Sequence, residues 1–101
     1  MMTRKQLLLI CLAEELGEVA KECIKGVRFG TDCDWYQGRT NHDRACEEWS
    51  QVSALMGLLE IEYGIKFEVR EEDAIKKVHS FEQYYEHSVQ MGMVEPREEM
   101  S

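Results

Sequence analysis

A chain of 101 residues with 20 acidic and 12 basic side chains carries a formal charge of −8. That balance excludes general nucleic-acid binding, which needs a basic surface to displace counterions. Seven glycines and one proline leave little room for an all-β fold with many tight turns, and no stretch is long enough to span a membrane.

The length sets one domain as the default, over residues 1–94, with a small core that subunit association would supplement. The first predicted element is a helix over about 3–25, with Thr3 as N-cap and Gly26 or Gly30 as its stop. Leu8, Leu12, Leu16, Val19 and Cys23 recur every three or four residues and form its apolar stripe. The run LLLICLA at 7–13 leads straight into Glu14 and Glu15 with no small-residue cleavage site. It therefore reads as a buried helix start and not as a signal peptide. Glu15, Glu18 and Glu22 fall at i, i+3 and i+7, on one face that adjoins this stripe. Like charges stacked this way repel, and a merely soluble helix usually interleaves lysines.

Residues 29–40 break the period, with Gly30, Gly38 and several Asp residues marking a loop. Trp35 and Tyr36 lie inside it. They either stack on a base, since every base offers a π-face, or cover the bundle end or a subunit contact. The second predicted helix runs from Asn41 or His42 to Tyr63, with Asn41 as N-cap and Gly64 as stop. Its stripe is Ala45, Trp49, Val52, Leu55, Met56 and Leu59. Glu48 falls inside that stripe, and Gln51 stands at its edge. IKFEV at 65–69 alternates weakly and reads as an extended connector. A third helix is expected from about Arg70 to Met91, with stripe Ala74, Val78, Phe81, Tyr85 and Val89, closed by Gly92. A charged, mobile tail follows at 95–101.

Cys11, Cys23, Cys33 and Cys46 form no C-x-x-C pair, and with no export signal they read as reduced thiols in a cytoplasm. Cys33, His42 and Cys46 fit no usual zinc spacing. The expected fold is all-α, an antiparallel bundle of three main helices completed by further copies of the chain.

If the stripes of the first two helices pack together, Glu15 and Glu18 approach Glu48. Carboxylates in one partly buried space need protons, basic partners or a cation. Oxygen ligands without cysteine or histidine on the same faces favour a hard ion, Mg²⁺ or Mn²⁺. Mg²⁺ keeps several waters and binds substrate phosphates, so such a site suits a nucleotide. The bland alternative is a solvated face, with the Glu48 stem on the core and its head in water.

LAEELGEVAKE, then RFG, a short loop, TN and CEEWSQVSALMGLLE resemble the MazG-like nucleotide pyrophosphohydrolases, above all their compact phage-type members. The third helix, IKKVHSFEQYYEHSVQMG, resembles the family's K-V-x-x-(F/Y)-x-x-Y-x-x-S ending, and the likeness covers about residues 6–92. The family pattern is E-x-x-E on one helix and E-x-x-D on the next. Glu15 and Glu18 match the first pair, and Glu48 matches the Glu of the second. The resemblance implies homodimers or homotetramers that hydrolyse nucleoside triphosphates between the α- and β-phosphates with Mg²⁺. It implies Glu15, Glu18 and Glu48 as metal ligands, with one of them or Glu22 positioning the water. It makes Lys77 a phosphate contact, with Lys25 and Arg28 as lesser ones. Where the pattern has Asp stands Gln51, whose amide oxygen is neutral and a poorer ligand. Neighbouring Glu47 points about 100° away around the helix. Three outcomes stay open: a hydrolase with weaker metal affinity, a nucleotide-binding or regulatory homologue with reduced or lost hydrolysis, and a plain helical interaction module.

Overall fold

The structure, a computed structural model, describes residues 1–31 and 38–97. They form three helices, α1 (Arg4–Phe29), α2 (Asn41–Tyr63) and α3 (Glu71–Gln90), with no strand among the described residues. None of these helices is long and apolar enough to cross a membrane. The chain divides into two compact units, Met1–Phe67 and one that begins at Glu68, where the sequence suggests a single domain over 1–94.

α1 begins in a capping box. The Gln6 backbone N–H donates to Thr3 Oγ1 at 3.1 Å, and the Thr3 N–H donates to Gln6 Oε1 at 2.9 Å, satisfying two donors that the first turn leaves without partners. The helix passes through Gly26 and stops at Gly30, which takes φ +84° and donates its N–H to the Gly26 carbonyl at 2.9 Å. Of these two glycines, Gly30 is the one that needs the positive φ that glycine supplies without strain.

α2 is capped by Thr40, not Asn41. The Asp43 N–H donates to Thr40 Oγ1 at 3.0 Å, and the Thr40 N–H donates to Asp43 Oδ2 at 3.2 Å. The bond from the Thr40 backbone, then that from its hydroxyl, hold the Asp43 carboxyl below its usual range. With the cap supplied one residue earlier, Asn41 is the first helical residue and turns inward. Thr40→Ala is expected to lower stability by about 1 kcal/mol, read as a shift in the denaturant midpoint with an unchanged slope. At the other end Gly64 adopts the left-handed region, φ 67° and ψ 16°. Its N–H reaches the Glu60 carbonyl at 2.9 Å, and Ile65 N–H reaches that of Leu59 at 3.2 Å. This closure folds Ile65 back onto the core.

That core joins α1 to α2. Leu8 and Leu12 meet Val52 and Leu59, both of which are fully buried, and Val19, Leu55, Met56 and Ile65 pack around them. The start of α1 is tied to the end of α2 by Arg4, which holds Glu62 through Nε at 2.7 Å and a second nitrogen at 3.1 Å. The pair is solvent-exposed, so it fixes geometry more than it adds stability. Two helices bury only their line of contact. Leu16 and Trp49, although on the predicted stripes, remain 46% and 54% exposed.

The second unit carries α3. Glu71, Glu72 and Asp73 fill its first turn, where negative charge complements the helix dipole. Its stripe splits: Val78 and Phe81 are 61% and 54% exposed, whereas Tyr85 and Val89 are half-buried. After Gly92 (φ +74°) the chain turns back. Tyr85 Oη donates to the Glu95 carbonyl at 2.9 Å, and Arg97 pairs with Glu82 at 3.1 Å while lying over the Tyr85 ring. Residues 95–97, expected as part of a mobile tail, are therefore tied to α3 by one aromatic side chain that offers both a hydroxyl and a π-face. Residues 98–101 lie outside the described residues.

Candidate active site

Glu15 sits on α1 between Leu12 and Val19, and Glu48 sits one turn before Val52 on α2. The packing that buries Leu12 and Val52 therefore aims the two carboxylates at each other, and both are half-buried. Gln51, one turn beyond Glu48, lies against them. With its amide nitrogen toward the carboxylates it donates to Glu15 Oε2 at 2.7 Å and to Glu48 Oε2 at 3.1 Å. The opposite orientation would set amide oxygen against carboxylate oxygen, an arrangement with no donor.

The Glu48 carboxyl is held above its usual range. The hydrogen bond it shares with Glu15 contributes most, then burial, then the negative charges of Glu15, Glu18 and Glu47. Glu18 is exposed and adds its charge from outside the pair. Among the described residues, no three Asp, Glu, His or Cys side chains converge closely enough to hold a metal ion. The three-carboxylate cluster expected from the sequence is thus a pair bridged by an amide. Such a donor set still fits Mg²⁺, which binds through one or two carboxylates plus waters and substrate phosphates in preference to an all-protein cage.

Glu22 has a different setting. It is 7% exposed and accepts a hydrogen bond from Asn41 Nδ2 at 3.0 Å. Lys25 Nζ lies 3.5 Å away and Arg44 Nε 3.7 Å away. A buried carboxylate so engaged anchors the late turns of α1 to the first turn of α2. Asn41 and Arg44 are the residues missed by the sequence reading. Their available signal is the T-x-x-D box at Thr40, which frees Asn41 from capping.

The predicted phosphate contacts have separate local settings. Lys25 is paired with Glu22, Arg28 lies 5.2 Å over the Phe29 ring, and Lys77 is exposed on α3 in the second unit. Trp35 and Tyr36 lie outside the described residues. Trp49, expected in the core, instead lines an open cleft of about 430 Å³ with Val19, His42, Ala45, Cys46 and Ser50.

Set against protein families, curated proteins and solved structures, the chain matches none of them.

Proposed function

We propose that this chain is a MazG-like nucleotide pyrophosphohydrolase. In that reading it converts a nucleoside or deoxynucleoside triphosphate and water to the monophosphate and pyrophosphate, with Mg²⁺ or Mn²⁺. The observation that carries the reading is the meeting of Glu15, Glu48 and Gln51 on the seam of α1 and α2. Glu15 and Glu48 would hold the ion, which supplies charge neutralisation for phosphate oxygens and lowers the pKa of water. Glu18 adds negative potential at the rim. A carboxylate beside the ion can orient the attacking water or take its proton. Gln51 fixes the separation of the two carboxylates and presents its oxygen to an ion only after its amide turns over.

The same reading includes an antiparallel bundle completed as a homodimer or homotetramer. The exposed Ile75, Val78, Phe81 and Tyr84 on α3 are the apolar surface that such an assembly would cover.

The test is pyrophosphate release from a panel of nucleoside triphosphates with Mg²⁺ or Mn²⁺. No release at high enzyme concentration removes the hydrolase reading. A second reading, a nucleotide-binding homologue without turnover, draws on the donor face that Gln51 turns toward the carboxylates. Gln51→Asp separates the two. On the hydrolase reading, the substitution tightens Mg²⁺ binding and raises an activity that is already measurable. Activity that appears only in the variant makes the natural chain a binder. Absence of any saturable Mg²⁺–nucleotide binding by calorimetry leaves a helical interaction module.

A further inference from the structure

The Gln51 amide does for the carboxylate pair what a cation would do. A side-chain amide has two N–H donors, and here both are spent on the pair: one reaches Glu15 Oε2 at 2.7 Å, the other Glu48 Oε2 at 3.1 Å. The placement follows from spacing. Gln51 stands three residues after Glu48, so it meets that carboxylate along α2 and the Glu15 carboxylate across the seam. Among the described residues, no Lys, Arg or His forms an ion pair with either glutamate. We propose that Gln51 is a built-in, uncharged stand-in for the ion: its amide holds Glu15 and Glu48 together in the ion-free chain and must withdraw before an ion bridges them.

This inference rests on the reading of the pair as a Mg²⁺ site, and it gives Gln51 a role other than that of a poorer ligand. An ion bound to both oxygens competes with the two N–H groups for them, and the positive ends of those groups repel a cation placed beside them. A carboxylate at position 51 could not hold the pair in this way, because it donates no hydrogen bond. Gln51 is exposed, so its amide can swing aside without repacking the core. Linkage sets the consequence. Whatever the amide adds to the stability of the ion-free chain, it takes from the apparent affinity for the ion, since only the fraction with the amide withdrawn is competent to bind.

The experiment is thermal unfolding of the full chain at neutral pH, with and without Mg²⁺ alone, for the natural protein, Gln51→Met and Gln51→Lys. Gln, Met and Lys have nearly equal helix propensities, so the exposed turn of α2 is undisturbed. Met removes both donors, and Lys supplies a tethered cation. Without Mg²⁺ the melting temperature should rise in the order Met, Gln, Lys, with the Met variant about 4–8 °C below the natural chain. The shift produced by Mg²⁺ should run the other way, largest for Met and lost for Lys. Ser53→Lys, exposed on the same helix, changes the net charge equally and should keep the natural Mg²⁺ shift. A Met variant that responds to Mg²⁺ less than the natural chain makes Gln51 a ligand and overturns the proposal. So do equal shifts across the series, no Mg²⁺ shift in any chain, or loss of the shift in Ser53→Lys. Pyrophosphate release separates this failure from that of the hydrolase reading. Release by a chain whose series fails sinks the stand-in alone, and a series that runs as expected without release sinks the hydrolase alone.

Discussion

On the proposed pyrophosphohydrolase reading, Glu48→Gln is expected to lower pyrophosphate release by at least about a hundredfold while raising the melting temperature of the ion-free protein. The loss of turnover follows from removing one of two carboxylates at a site built on charge. Deleting a single electrostatic group of this kind typically costs on the order of 10²–10³ in rate. The gain in stability follows from the same geometry. Glu48 is held above its ordinary range chiefly by its contact with Glu15, so the folded chain retains a proton that the unfolded chain has already released. Unfolding free energy therefore falls as pH rises from the ordinary glutamate range through the raised value, and above it the repulsion is felt in full. A neutral amide at position 48 removes that penalty. The variant should gain most at neutral pH and least near pH 4. Mg²⁺ should stabilise the natural chain more than the variant, because only the natural chain offers both carboxylates. Thermal unfolding with and without Mg²⁺, at two pH values, checks the sign. A variant that melts lower at neutral pH and still turns over would separate Glu48 from both roles.

The trade between stability and activity that this predicts was visible in the sequence as an oddity: a glutamate where a core residue belongs. The helices themselves are legible for the same kind of reason. Apolar residues spaced by three and four report which side of each helix meets a neighbour, and Thr3, Gly64 and Gly92 mark ends by the backbone conformations they supply or cap. Spacing does not report distance across a seam. Glu18 follows Glu15 by three residues and so sits about 60° to one side of it around α1. That rotation is enough to carry it out of the pair that Glu15 makes with Glu48. Glu22 shares the same spacing pattern, yet its surroundings are decided by Asn41 and Arg44, which lie beyond the loop. A reading of one helix at a time cannot distinguish a ligand, a solvated charge and a buried anchor, because all three present as glutamates spaced by three and four on one face. Trp49 illustrates the converse. An aromatic at the edge of a stripe reads as core, but two helices cover too narrow a band to bury it.

Leu59→Ala is expected to be the most damaging core substitution, at about 3 kcal/mol within the 2–5 kcal/mol usual for a buried leucine. Leu59 is wholly buried, packs beside Val52, Leu8 and Leu12, and its carbonyl receives the Ile65 N–H that closes α2. Few neighbours are available to collapse into the cavity, since among the described residues the buried cluster is Leu8, Leu12, Val52 and Leu59 alone. A loss of that size is a large part of the 5–15 kcal/mol that holds an ordinary domain together. It should lower the melting temperature by on the order of 10–20 °C. The same substitution at Leu16 or Phe81, both about half exposed, should cost less than about 1 kcal/mol if those faces meet water. The comparison therefore reads the assembly as well as the core. If Leu16→Ala or Phe81→Ala approaches Leu59→Ala in cost, and the melting temperature of the natural chain climbs with protein concentration, those faces are covered by another copy in solution. If both costs stay small at every concentration, the seam of α1 and α2 carries the stability alone, and the paired carboxylates along it must do without a partner subunit.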